Sequence, residues 1–253
     1  NVPLNGLLSD GYAKEIAKEV KAPTFEIRNL GEREPLVQFM ENPIHNPWDH
    51  EKSGKVPVPS HPAMDTNNED TTHINVVDKN RNAVSCTHTG VFAKGLNPAG
   101  TGVALVGGMG WFIPKPGYPN SMAPWKRPMN NMSPFMVLKN NRPVLLEGAP
   151  GARRIMNRNA QVLLNVILFG MTPQEAIVQP VVDVSGSKTY VDSRMPESTI
   201  KALVSLGHDI ELLEEEPAPT GYFARPSAIQ VDYERNLLRA GVDSFRPTTA
   251  LGY

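Results

Sequence analysis

Apolar positions recur at helical spacing near the start of the chain, where Tyr12, Ile16 and Val20 share one face. Ser9 is placed to cap this helix and Pro23 to end it. From Glu32 to Asp70 the periodicity disappears under prolines, asparagines, histidines and charges. A stretch of that length without regular structure is a linker, a processing segment or a functional loop. At Thr71 the character changes. Thr71 to Val77 and Ala83 to Thr89 are strand-like, and Asp78 to Asn82 supplies the turn between them, which predicts a hairpin.

Further along, a glycine-rich segment spans Gly95 to Gly110, and a second hairpin is predicted from Phe135 to Glu147 around Asn140-Asn141. Gly148-Ala149-Pro150-Gly151-Ala152 leads into a strongly apolar helix with Gly170 at its C-terminal exit. Thr172-Pro173-Gln174-Glu175 is a capping box with proline at the first helical position. Another helix is expected from about Pro196 to Leu206, closed by Gly207, and strands from Asp209 to Glu214, Ser227 to Asp232 and Leu237 to Val242. Strands, then helices, then strands predict α+β layers rather than alternating βαβ units.

Composition narrows the function classes. With 25 basic and 26 acidic residues the net charge is −1, so no global field draws nucleic acid or an anionic membrane. The 24 prolines, roughly twice average usage, fall largely in the loop-rich stretches. The longest apolar run, Val162 to Phe169 interrupted by Asn165, is far short of a membrane span. The single cysteine, Cys86, excludes an intramolecular disulfide and a cysteine-built zinc site, and its mid-strand position reads as a core residue. His45, Asp49, His50, Glu51 and His61 have no zinc-binding spacing and read as a solvated loop, so no metal is expected. Gly107-Gly108-Met109-Gly110 lacks the lysine of a phosphate loop. Glu214-Glu215-Glu216 reads as a solvated turn.

The chemistry concentrates on Asp70-Thr71-Thr72-His73, where loop meets strand. A threonine hydroxyl is a poor nucleophile without a base. If threonine is the first residue of its chain, its own α-amine, with a pKa of about 7.7–8.0, takes the proton. Thr71 acquires such an amine only after cleavage of the bond before it. β-Branched residues also favour strand starts for no catalytic reason, so the local pattern alone leaves both readings open. His73 and His88, beside the two strand ends, read as structural histidines or as site organisers.

Several ordered blocks decide between them. Thr71-Thr72-His73, Val76-Val77-Asp78-Lys79-Asn80, Asn82-Ala83-Val84-Ser85, Lys126-Arg127-Pro128, Met132-Ser133-Pro134, Gly148-Ala149-Pro150-Gly151 and Leu251-Gly252-Tyr253 resemble the C-terminal part of a gamma-glutamyltransferase precursor. That family belongs to the N-terminal-nucleophile hydrolases. The resemblance implies an α+β fold with two central sheets between helix layers (αββα). It also implies a small, catalytic subunit at residues 71–253, and identifies residues 1–70 as the tail of the large subunit. The Asp70–Thr71 bond would be the self-cleavage site of a zymogen, and Thr71 the nucleophile. Thr89 matches the threonine that orients it, and Gly151 and Ala152 match the pair whose N–H groups form the oxyanion hole. The family's substrate clamp uses an asparagine, a glutamine, an aspartate and two serines. The matching positions here hold Val91, Gly108, Trp111, Asn130 and Asn131. A tryptophan in place of the aspartate removes the partner of an ammonium group.

The resemblance therefore implies a self-processing threonine amidohydrolase or acyltransferase acting on a gamma-glutamyl or related acyl amide, with altered specificity. Arg153 and Arg154 are candidates for a substrate carboxylate or for pairing with nearby acids. No cofactor is expected. The partners implied are the remainder of the large subunit, in a heterodimer from one precursor, and a small-molecule or peptide amide substrate. No nucleic acid and no membrane span are expected, and the family resemblance is compatible with a periplasmic or extracellular location. The alternative is an unprocessed, non-catalytic relative serving as a binding or assembly partner.

Overall fold

A computed structural model describes residues 4–20, 71–89, 99–102, 108–116, 118, 120–186, 188–215, 222–245 and 247–252. The chain divides into a unit of residues 1–61 and 109–128 and a larger unit of residues 62–108 and 129–253. In the smaller unit, a short helix α1 (Leu4–Leu7) precedes α2 (Asp10–Val20). Ser9 caps α2 as expected, its Oγ accepting from Tyr12 N–H at 3.1 Å. Pro23 lies outside the described residues, as do the histidines at 45, 50 and 61. The same unit buries Phe112, Ile113 and Tyr118 around a bridge between Ile113 and Ser121.

The larger unit opens with the predicted hairpin, β1 (Thr71–Val77) and β2 (Ala83–Thr89), antiparallel and in register from Thr71 opposite Thr89 to Val77 opposite Ala83. Asp78 holds its turn by accepting from the N–H groups of Asn80 and Asn82, each at 2.8 Å. The second hairpin, β3 (Phe135–Lys139) and β4 (Arg142–Gly148), turns at Asn140 and Asn141. Both asparagines adopt positive φ, 53° and 57°, as a type I′ turn requires. β8 (Ser227–Asp232) and β9 (Leu237–Val242) complete a four-stranded sheet in the order β3-β4-β8-β9.

Helix α3 (Ile155–Ile167) and helix α4 (Pro173–Val178) cover one face of that sheet. Leu145, Val162, Val166, Ala176, Ile177 and Ala228 form the core between them. Each fully buried leucine or valine there contributes about 1.5–3 kcal/mol. α3 stops short of Gly170, which takes φ +68° beyond it. The Thr172–Glu175 capping box forms with both of its reciprocal bonds. The other face of the sheet receives the β1–β2 hairpin through β4 and β8. The class is thus α+β, and the described residues build a helix layer, a sheet and a second, two-stranded sheet.

Two expectations are corrected, and a third sheet is added to the predicted strands. A further sheet joins β5 (Val182–Asp183), β6 (Thr189–Asp192) and β7 (Ile210–Leu213), and β6 pairs parallel with β7 across helix α5 (Glu197–Ser205). The described residues therefore include a βαβ crossover, whose short strands give too little periodicity to detect. Cys86 is exposed rather than in the core. The hairpin turns Ile74, Val76, Val84 and Cys86 outward, with Ile74 53% exposed, and points its polar residues toward the larger sheet. Glu215 is not a solvated residue: burial, and then the charge of Asp243, push its carboxyl up to about 7.

The most unusual core residue is Glu147, which is 0% exposed on β4. It shares the helix-facing side of the strand with Leu145, two residues before it. Neither carboxylate oxygen has a hydrogen-bond partner among the described residues. Burial holds its carboxyl well above the ordinary value, against the opposing charge of Arg158. Below the unfolded value of 4.5 both states carry the proton. As pH rises from there toward the folded value, only the native state stays protonated, so stability falls. Glu147→Gln should therefore raise the melting temperature at pH 7 by several degrees and leave it nearly unchanged at pH 4, measured as the difference from the parent protein. An equal gain at both pH values would show that ionisation is not the cause.

Candidate active site

β1 and β2 place Thr71 and Thr89 as a cross-strand pair, and their hydroxyl oxygens lie 2.9 Å apart. Both side chains are on the face turned toward the larger sheet, together with His73, Asn75, Ser85 and Thr87. An inward face this polar is unusual, and each group on it has a partner. His73 Nδ1 is 2.8 Å from Thr87 Oγ1, and its Nε2 is 3.0 Å from Asn75 Oδ1. Asn75 spends its amide N–H on the Ser227 carbonyl at 2.9 Å, so its oxygen faces the imidazole. The ring therefore donates from Nε2 and accepts the Thr87 hydroxyl proton at Nδ1. Burial lowers the His73 value below 6.5, with the Asn75 bond opposing, so the ring is neutral at pH 7.

His73 thus serves to seat the hairpin. Gly148, at the end of β4, lies under the imidazole, and a Cβ there would come within 2.3 Å of His73 Cε1. Ser85 Oγ adds a bond to the Glu147 carbonyl at 3.2 Å. His88 is on the opposite, exposed face of β2 and does not join this group.

β4 runs directly into the glycine-rich turn that carries Gly151 and Ala152. Gly151 has φ +147° and Ala152 φ +53°, so consecutive residues hold backbone conformations that side chains disfavour. A Cβ on Gly151 would lie 2.3 Å from Ala224 Cβ. The turn is tied to that neighbouring segment by Arg225 N–H donating to the Pro150 carbonyl at 3.0 Å. Arg154 does not stand free for a substrate: its Nε donates to the Gly151 carbonyl at 3.2 Å, and its guanidinium bonds the Tyr222 carbonyl and stacks on the Tyr222 ring at 4.6 Å. Arg153, beside it, is exposed.

Of the expected clamp positions, Asn130 and Asn131 lie in the extended segment before β3. Asn130 Oδ1 accepts from Met132 N–H at 3.0 Å, so its oxygen is committed to the chain's own backbone. Gly108 and Trp111 are the ends of a 3-10 turn, Gly108–Trp111, and Trp111 belongs to the smaller unit. There its carbonyl accepts from Asn120 Nδ2 at 2.7 Å. Asp70 and Val91 lie outside the described residues.

Two residues join the group that spacing did not single out. Thr89 Oγ1 donates to Met132 Sδ at 3.3 Å. Asn159, 3% exposed on α3, donates from Nδ2 to the Ser133 carbonyl at 2.8 Å and so anchors the same segment. The available signal was a pair of polar residues, Arg158 and Asn159, within the buried stripe Ile155, Val162 and Val166. Among the described residues, no group of three or more histidine, cysteine or acidic side chains could hold a metal, and no helix is long and apolar enough to cross a membrane.

The chain is similar to several known proteins. The Acylase ACY 1 proenzyme of Pseudomonas sp. (strain V22) is 38% identical over 143 residues, covering 56% of this chain and 26% of that protein. The Glutathione hydrolase proenzyme of Bacillus subtilis (strain 168) is 28% identical over 256 residues, covering 100% of this chain and 40% of that protein. The chain therefore spans well under half the length of these relatives. Among solved structures, a Helicobacter pylori gamma-glutamyltranspeptidase mutant is 29% identical, covering 69% of this chain and 99% of its own, with a TM-score of 0.56. That likeness places the fold among the N-terminal-nucleophile hydrolases. The family description Gamma-glutamyltranspeptidase matches residues 1–253, and the chain belongs to that family of hydrolases and acyl-transferring enzymes.

Proposed function

We propose that this chain carries the catalytic centre of a self-processing threonine amidohydrolase or acyltransferase, with Thr71 as nucleophile. The observation that carries the reading is the 2.9 Å pairing of the Thr71 and Thr89 hydroxyls at the end of a hairpin whose first residue is Thr71. In processing, Thr71 Oγ attacks the Asp70 carbonyl carbon, the peptide C–N bond breaks, and an ester joins Asp70 to the Thr71 oxygen. Water hydrolyses that ester, leaving an Asp70 carboxylate and a free Thr71 α-amine. In turnover, the α-amine takes the hydroxyl proton as Oγ attacks the substrate amide and passes it to the leaving amine. Water or an acceptor amine then resolves the acyl ester. Thr89 orients the nucleophile, and the N–H groups of Gly151 and Ala152 receive the oxyanion; alanine keeps the N–H that this needs.

On this reading residues 71–253 are the catalytic subunit, and residues 1–70 end the other. The exposed apolar face of Ile74, Val76 and Val84 supports a partner segment that covers it. Specificity is set by what replaces the clamp. By the family resemblance Trp111 stands where an aspartate would pair the substrate ammonium, and Asn130 has given its oxygen to Met132. None of Val91, Gly108, Trp111, Asn130 and Asn131 carries an acidic group. The favoured acyl group is one of glutamyl length without an α-ammonium.

Intact mass and N-terminal sequencing of the freshly purified full-length protein test the first step, and should reveal a new N-terminus at Thr71. A matched pair of amides, gamma-glutamyl and the same acyl chain lacking its α-amino group, tests the second. We expect kcat/KM to favour the des-amino amide by at least about tenfold, because an unpaired buried ammonium costs more than 1.4 kcal/mol. Preference for the gamma-glutamyl amide would overturn the altered specificity. An unbroken chain that turns over neither amide would favour the binding-partner alternative.

A further inference from the structure

We propose that Met132 is a positioning residue whose sulfur accepts the Thr89 hydroxyl proton and thereby makes Thr71 the donor in the Thr71–Thr89 hydrogen bond. This rests on the reading of Thr71 as the nucleophile. A hydroxyl has one proton to give and two lone pairs to receive with. Thr89 Oγ1 has two neighbours, Thr71 Oγ1 at 2.9 Å and Met132 Sδ at 3.3 Å. A thioether can only accept. Both contacts are hydrogen bonds at once only in the order Thr71 to Thr89 to Met132. The reverse order, with Thr89 donating to Thr71, leaves the sulfur unused.

The surroundings hold Met132 in place for this. Its N–H is fixed by Asn130 Oδ1 at 3.0 Å, and the next carbonyl, that of Ser133, is fixed by Asn159 at 2.8 Å. Asn159 is a buried amide on the inward stripe of α3, beside the equally buried Arg158. A flexible side chain is thus anchored through its backbone on both sides, once from the loop and once from the core.

The consequence concerns where the nucleophile's proton rests. With the sulfur accepting, the Thr71 proton lies on the bond to Thr89 and away from the α-amine. Without it, the Thr89 proton turns to Thr71 Oγ, and the Thr71 proton is free to bond the α-amine of the processed chain. A hydrogen bond received by the neutral amine stabilises that form and lowers its pKa.

Met132→Leu keeps the volume and removes the acceptor. In the processed full-length protein it should move the acid limb of the kcat/KM profile to lower pH by roughly half a unit. Met132→Gln, which restores an acceptor through its side-chain carbonyl, should hold the limb at or above its parent position. A limb that stays put in Met132→Leu overturns the proposal, even if the rate falls. A second measurement needs no turnover. The 13C resonance of the Met132 ε-methyl group, identified by its loss in Met132→Leu, should shift in Thr89→Val and return in Thr89→Ser. A resonance unmoved by Thr89→Val, or moved alike by both, overturns the hydrogen bond. Absence of a new N-terminus at Thr71 in the parent protein would instead defeat the nucleophile reading and leave the resonance experiment decisive for Met132.

Discussion

Thr71→Ala is expected to leave the Asp70–Thr71 bond intact and to reduce amide turnover by at least about 10⁴-fold, since the variant has neither the attacking oxygen nor, without cleavage, the α-amine base. The fold should survive. Thr71 is half-buried at a strand end, and its hydroxyl contributes one side-chain hydrogen bond, worth about 1 kcal/mol. The register of the hairpin is held by its backbone ladder and by His73, Asn75 and Ser85 against β4 and β8. A loss of function through misfolding is therefore separable from a loss of chemistry. The variant should melt within a few degrees of the parent, and its mass should correspond to the uncut chain. Thr71→Ser, which keeps an oxygen and loses a methyl group, should still be cut. If Thr71→Ala is processed at the same bond, Thr71 is not the attacking group.

Gly151→Ala should be the most damaging single-methyl change in the site. At φ +147° an L side chain is strained in any surroundings, and here the new Cβ would meet Ala224 Cβ at 2.3 Å and Ala224 Cα at 2.6 Å. The backbone at Ala224 cannot simply withdraw, because Arg225 is hydrogen-bonded to Pro150 across the same gap. Together these cost about 3 kcal/mol or more, which for a chain of this size lowers the melting temperature by about 6–12 °C. Processing should slow as well on the proposed mechanism, in which the N–H groups at 151 and 152 together receive the oxyanion. Ala152→Gly is the informative contrast. It relieves the strain of a left-handed alanine, about 1–2 kcal/mol, while adding unfolded-state entropy worth about 0.4–1 kcal/mol, so stability should be unchanged or rise by at most about 1.5 kcal/mol. Melting curves for the two variants, with N-terminal sequencing of each, check both statements. Unchanged melting in Gly151→Ala would mean that the turn is not held as described.

Much of this protein was legible in its sequence for local reasons. Period-two alternation bounded by Asp78 to Asn82 marked the first hairpin, and Asn140-Asn141 marked the second, because those residues tolerate the positive φ that a tight turn needs. Thr172 and Glu175 marked a helix start through a bond that spans only three residues. The ordered motifs pointed to the family, and the resemblance singled out Thr71 and Thr89, which the register of the hairpin then sets opposite each other.

What the tertiary structure decided is what depends on residues distant in the chain. Alternation fixes which residues share a face but not which face is covered. The hairpin buries its polar side because His73, Asn75 and Ser85 find carbonyls and space on β4 and β8, and so Cys86 is exposed. Glu147 reads as an ordinary strand residue, and only the packing of α3 over β4 makes it a buried carboxyl that cannot ionise cheaply. Arg154 and Asn130 likewise find backbone partners that spacing does not show, the Gly151 carbonyl for Arg154 and the Met132 N–H for Asn130. Met132 and Asn159, 27 positions apart in the chain, meet Thr89 and Ser133 through folds of the backbone that no local spacing encodes. Short-range bonds set the elements, and long-range desolvation and pairing set the site.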